Sequence, residues 1–128
     1  MKMIYIDAKT KNSGHYTPAV ASNGMLYVSG QLGMNPDTGK LPEGGIKTHT
    51  MQALSNLDRV LKAAGTDRTK VVQCRIYLPD IMDWDEVNKL YSDFFGEHKP
   101  ARAIVPTREL HYGSLIEIEA VAELEEER

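Results

Sequence analysis

Leu115-Ile116-Glu117-Ile118-Glu119-Ala120-Val121-Ala122-Glu123-Leu124 alternates without a break. Ile116, Ile118, Ala120, Ala122 and Leu124 fall on one face of an extended chain. Leu115, Glu117, Glu119, Val121 and Glu123 fall on the other. Successive side chains of a strand point to opposite faces, so the first set predicts a core-facing surface and the second a mixed one. Segment 71–78 reads the same way, with Val72, Cys74, Ile76 and Leu78 opposite Val71, Gln73, Arg75 and Tyr77. Segment 101–110 is also extended, but Pro106 lacks an N–H and favours an edge or a bulge. His111-Tyr112-Gly113-Ser114 is a turn, making 101–124 a hairpin by this reading.

Upstream, residues 3–6 read as a short strand and 7–17 as polar and turn-rich. Asn23-Gly24 lies between the apolar runs 19–22 and 25–29. That pair supplies the positive φ angles of a type I′ hairpin turn. Residues 30–45 hold five glycines and two prolines and read as loop. Then the period changes. Ile46, Thr50, Ala53, Leu57, Val60, Leu61 and Ala64 recur at helical spacing, with Met51 and Leu54 widening the stripe and Gly65 at the C′ position. Asp83 can N-cap a second helix through Phe95, with Trp84, Val87, Leu90, Tyr91 and Phe94 inside and Gly96 closing it. Two helices can cover one face of a five- or six-stranded sheet, so the fold class is α+β. The other face carries Val71, Tyr77, Leu115 and Val121 among Arg75, Glu117 and Glu119. A face of that composition predicts packing between subunits.

The chain has 128 residues, so residues 1–128 are expected to form a single domain. Hydrophobic residues make up 41%, an ordinary globular content. Fifteen basic against eighteen acidic residues leave a net charge of −3. That balance disfavours nucleic acid and anionic membrane as partners. No segment approaches the roughly 18 consecutive apolar residues of a membrane helix, and the N-terminus has no signal-peptide core. Cys74 is the single cysteine and can form no intrachain disulfide, which suits a cytoplasmic location. The acidic end, 123–128, reads as a solvated tail.

Arg102 sits between Pro100-Ala101 and an apolar strand. Its guanidinium could fork a carboxylate bidentately, or it could be a surface arginine or pair with Glu119. Glu117 could act as a general base on water or serve in a structural pair; Glu119 reads as a structural partner of Arg102 or Arg75 at a subunit interface. An even-length hairpin loop would place Arg102 and Ile104 on the face of Glu117 and Glu119. Ser29 could bond a ligand or local backbone, Tyr16 could close a pocket or cap core, and mid-helix Asn88 suits a tertiary hydrogen bond. His15, His49, His98 and His111 show no ligand spacing, so no metal site is expected. Cys74 reads as a small core hydrophobe.

Taken together, Pro100-Ala101-Arg102-Ala103-Ile104-Val105 and Ile116-Glu117-Ile118-Glu119-Ala120 resemble the RidA/YjgF family of enamine/imine deaminases. Gly14-His15-Tyr16, Ser29-Gly30-Gln31, Asn35-Pro36-Asp37-Thr38-Gly39, Ala63-Ala64-Gly65 and Val87-Asn88 extend the resemblance along the chain. It implies a chorismate-mutase-like fold, a homotrimeric barrel of sheets with helices outside, and clefts between subunits. It further implies hydrolysis of 2-aminoacrylate-type enamines or imines to 2-keto acids and ammonia, without a cofactor. By this resemblance Arg102 holds the substrate carboxylate and Glu117 orients the attacking water. Tyr16, Ser29 and Asn88 match pocket positions, and the backbone of Ile104 borders the cleft. The chain departs from the family pattern at Ile104, where many members have Cys or Thr, and at His15, which replaces a proline; Pro106 interrupts the last strand pair. A trimer that binds small carboxylates without turnover is the alternative. A ribonuclease or translation inhibitor is a lesser one, because the charge is negative and no aromatic-basic stripe is present.

Overall fold

A computed structural model of the chain describes residues 1–11 and 14–125. Six strands form one sheet: β1 (Lys2–Ile4), β2 (Ala19–Ser22), β3 (Met25–Leu32), β4 (Val71–Leu78), β5 (Ala101–Pro106) and β6 (Glu117–Glu123). Their order is β1-β2-β3-β6-β4-β5. A helical turn, α1 (Ala8–Lys11), follows β1. The two long helices are α2 (Ile46–Ala63) and α3 (Trp84–Phe95). They pack on one face, over Leu26, Ile76, Leu78, Ile116 and Ile118. The expected α+β architecture, one mixed sheet with two helices on one face, is what the chain adopts.

Local chemistry accounts for the boundaries. Asn23 and Gly24 take φ of 51° and 76°, as the type I′ turn between β2 and β3 requires. At the end of α2, Gly65 (φ 82°) donates to the Lys62 carbonyl and Thr66 to the Leu61 carbonyl. This is the paired Schellman closure that satisfies the last helical carbonyls. The α2 stripe is buried as expected at Ala53, Leu54, Leu57, Val60 and Leu61, but Met51 is exposed. Asp83 precedes α3 without a side-chain cap bond; Asp80 instead caps the preceding 3₁₀ turn by accepting from the Met82 N–H. β3 runs three residues past Ser29, to Leu32. Of the expected acidic tail, Glu123 closes β6 opposite Met25, and residues 126–128 lie outside the described residues.

Two expectations are corrected. A register slip between Val71 and Gln73 moves Val71 into the core and turns Val72 outward, reversing the faces expected for that end of β4. More important, β5 and β6 do not form a hairpin. β4 lies between them, parallel to β5 and antiparallel to β6. The apolar face of β6 takes a central place between β3 and β4, while α3 carries the chain across to lay β5 beside β4. Pro106 ends β5 at the sheet edge, where a missing N–H breaks no ladder bond. The consequence reaches the site. Cys74 pairs with Arg102 and Ile76 with Ile104, so both β5 residues face the helices. Arg75 pairs with Glu119 and Tyr77 with Glu117, so both acids face the open side.

Candidate active site

The helix-side cluster is built on α3. Trp84, Asn88 and Tyr91 are spaced i, i+4 and i+7, which places them in one stripe of the helix. Arg102 reaches this stripe from β5. Its Nη1 donates to Asn88 Oδ1 at 2.9 Å. The guanidinium carbon lies 4.8 Å from the Tyr91 ring centroid and 5.4 Å from that of Trp84. Ile104, half-buried, is two residues along the same face. Among the described residues Arg102 has no acidic partner. Arg59 pairs with Asp7, Arg68 with Asp58 and Arg75 with Glu119. Within one chain the topology keeps Glu119 on the face away from Arg102, so the two do not pair there. Nε and Nη2 make no hydrogen bond among the described residues and present a free donor edge, the geometry that accepts a carboxylate side-on.

Beneath Arg102, Cys74 is fully buried. Burial pushes its thiol up to about 11, which makes it inert as a nucleophile and agrees with the core role expected. Tyr91 is pushed up as well, chiefly by burial.

The open-side cluster gathers at the junction of β3 and β6. Glu117 pairs with Leu32, and its carboxyl lies against Gly30, so close that a Cβ there would stand 2.8 Å from Cδ. Burial, then the charge of Glu119, holds the Glu117 carboxyl above its ordinary range. Glu119 is tied differently: it accepts from the Tyr77 hydroxyl, and Arg75 Nη1 stands 3.7 Å away. That is the structural pairing expected for it. The Ser29 hydroxyl donates to the Thr17 carbonyl at 2.6 Å, leaving its oxygen lone pairs to accept. Tyr16 is exposed, and its ring folds toward Gly14. The start of β6 is fixed from below. Ser114 accepts from the Gly33 N–H and donates to the Ile116 carbonyl, while His49 Nδ1 accepts from the Leu115 N–H. Neither residue was legible as a support, although both are buried polar groups.

The structure thus brings Arg102, Asn88 and Ile104 together, and Glu117, Ser29 and Gly30 together, on opposite faces of the sheet. Glu117 and β5 are separated by β4, a lateral distance of roughly 10 Å at ordinary strand spacing. No molecule the size of a keto acid touches both within one chain. Trp84 and Tyr91 flank the arginine, which periodicity alone assigned to the core; their common stripe with Asn88 was the available signal.

The sheet order and one-sided helices define the class, an α+β chain of the chorismate-mutase-like type. Sequence places it further. The family model described as Endoribonuclease L-PSP matches residues 7–124. A human 2-iminobutanoate/2-iminopropanoate deaminase is 46% identical over 109 residues, covering 85% of this chain and 80% of the human one. A RutC family protein from Pyrococcus horikoshii is 37% identical over 121 residues, 94% of this chain and 96% of its own. Among solved structures, a Rid-family protein of unknown function from Yersinia pestis superposes with a TM-score of 0.87 at 41% identity, covering 94% of this chain and 98% of that one. The chain belongs to the RidA/YjgF family. No helix among the described residues is long and apolar enough to cross a membrane.

Proposed function

We propose that the chain is an enamine/imine deaminase that works as a homotrimer, with each site shared between two subunits. One observation carries the reading: a guanidinium with no acidic partner among the described residues, held by a neutral amide between aromatic rings, on the sheet face opposite a carboxyl of raised pKa. Such an arginine favours an anionic ligand. Juxtaposing the edge of one sheet with the open face of the next brings Arg102 of one subunit toward Glu117, Ser29 and Tyr16 of its neighbour. The human relative's name supports the substrate class.

In this reading Arg102 holds the carboxylate of a 2-imino acid through its free donor edge, and Asn88 keeps the fork turned outward. The Ile104 backbone borders the cleft, Tyr16 closes it, and the Ser29 oxygen accepts from the substrate nitrogen or from water. Glu117 accepts a proton from that water as its oxygen bonds to C2. The carboxyl returns that proton to the nitrogen, giving a carbinolamine. It then takes the proton of the new C2 hydroxyl and delivers it to the nitrogen as the C2–N bond breaks and the C2=O bond forms, so a 2-keto acid and ammonia leave. An enamine such as 2-aminoacrylate enters after tautomerising to the imine. No redox step arises, and the acid–base work lies within reach of one carboxyl. The trimer would operate in the cytoplasm on small carboxylates released by other enzymes. Arg102 alone would also serve a trimer that only binds 2-keto acids. Ammonia release from 2-aminoacrylate generated in situ tests between them: accelerated release supports the deaminase, and an unchanged rate with pyruvate still bound supports the binder.

A further inference from the structure

The α3 stripe does more than border Arg102. Tyr91 is 6% exposed and Trp84 37% exposed, so one ring forms a floor beneath the guanidinium and the other an outer wall. Among the described residues, the polar groups at the buried Tyr91 hydroxyl are the Cys74 thiol, a weak hydrogen-bonding group, and Arg102. The phenol is held mainly by packing, including the Phe95 ring at 4.6 Å between centroids, with the thiol as a weak polar contact. A thiol is only a weak hydrogen-bonding partner for a buried hydroxyl, so the ring is the larger part of what this position uses. A long arginine side chain on an edge strand has several rotamers open to it, and a single bond from Nη1 leaves rotation about that bond free. Two ring contacts at different points along α3 remove that freedom.

We infer that Trp84 and Tyr91 are positioning residues that set the orientation of the Arg102 fork, so that its free edge meets a ligand carboxylate already aligned. The inference rests on the reading of Arg102 as the carboxylate anchor. A cation over an aromatic face gains most where water is excluded, and a planar guanidinium aligned with a ring loses little further freedom on binding. Ligand affinity should therefore depend on the rings through Arg102 and on nothing else they do.

The test is a double-mutant cycle on the intact protein, read as pyruvate affinity by NMR titration, with KM and kcat measured beside it. Trp84→Leu should weaken pyruvate binding by roughly 3- to 30-fold, the span of one exposed to partly buried cation–π contact. The loss should appear in KM more than in kcat, because the carboxylate is held alike in ground and transition states. In an Arg102→Ala background, Trp84→Leu should cause no further loss. Tyr91→Leu should weaken binding likewise, and Tyr91→Phe should rescue it, since the ring remains. The inference is overturned if Trp84→Leu leaves affinity unchanged, if its loss adds fully to that of Arg102→Ala, or if Tyr91→Phe is as weak as Tyr91→Leu. Should Tyr91→Leu fail to fold, the partly exposed Trp84 arm decides alone. Wild-type affinity in Arg102→Ala would instead strike the anchor reading itself, which keeps the two failures apart.

Discussion

Gly30→Ala should slow turnover without unfolding the chain. A Cβ at position 30 would meet Glu117 Cδ at 2.8 Å and both Cγ and Oε1 at 3.1 Å. Ordinary contact begins at 3.4 Å, so the carboxyl must retreat by about 0.6 Å or rotate to another rotamer. The backbone does not resist the substitution, because Gly30 is not among the glycines with positive φ. The atoms it meets are the far end of a flexible side chain, so relief costs little. Alanine also restricts the unfolded chain, which favours folding by about 0.4–1 kcal/mol and offsets part of the clash. Stability should stay within about 1 kcal/mol of wild type, whereas displacement of a proton acceptor by a fraction of an ångström to 1 Å should lower kcat by roughly 10–100-fold. Keto acid and ammonia release from imine generated in situ gives kcat, a thermal melt gives stability, and a pyruvate titration should show Arg102 unaffected. Wild-type kcat in a folded Gly30→Ala protein would refute the claim that the position of the Glu117 carboxyl matters.

Five further outcomes follow from the same geometry. Arg102→Lys should lose most activity although charge is kept, since a lysine lacks the planar fork, and Arg102→Ala should also lose pyruvate binding by titration. Glu117→Gln should cost about 10²–10⁴-fold in turnover with pyruvate affinity retained. The pH dependence has a defined sign. Glu117 titrates above its ordinary 4.5 and works deprotonated, so the acid limb of the kcat/KM profile should lie above that pH, and Glu119→Gln should move it down. Because the folded state favours the protonated carboxyl, its contribution to stability is present at low pH and is lost as pH rises through the raised pKa; Glu117→Gln should therefore melt higher than wild type near neutrality. Cys74→Ala should lower stability by about 1 kcal/mol in a denaturant titration, and the native thiol should resist labelling until the chain unfolds. Light scattering should give three times the 14.3 kDa chain mass; a stable monomer would contradict the shared cleft.

Much of the fold was legible because its signals are local. The alternation of 115–124, the Asn23-Gly24 turn, and the helical stripe ending at Gly65 each depend on a few neighbouring residues, and each forms where expected. What was not legible depends on distant pairing. Nothing within 101–124 says that Val71–Leu78 will slide between β5 and β6, yet that insertion sends Arg102 to the helix side and leaves Glu117 on the other. The slip at Val71–Gln73 is of the same kind, since one extra residue exchanges faces without altering composition. For the site, Arg102, Asn88 and Glu117 stood out as polar residues in apolar strands or mid-helix, but their residue types left structural pairing open. Only the register showed that Glu119 and Arg102 stand on opposite faces within one chain. Gly30 entered the sequence reading within Ser29-Gly30-Gln31, and its importance lies in a carboxyl that arrives from a strand nearly ninety residues later.

The central claim is that a working site takes Arg102 from one subunit and Glu117 from the next. It is tested most directly by mixing Arg102→Ala and Glu117→Gln subunits, each inactive alone, through unfolding and joint refolding. In a closed ring with random 1:1 assembly, about a quarter of the interfaces join an intact Arg102 to an intact Glu117. The account predicts recovery of about a quarter of wild-type turnover in the mixture and none in either variant refolded alone. A mixed assembly of trimer mass that stays inactive would place both residues in the work of a single subunit, or neither in catalysis, and would contradict the account.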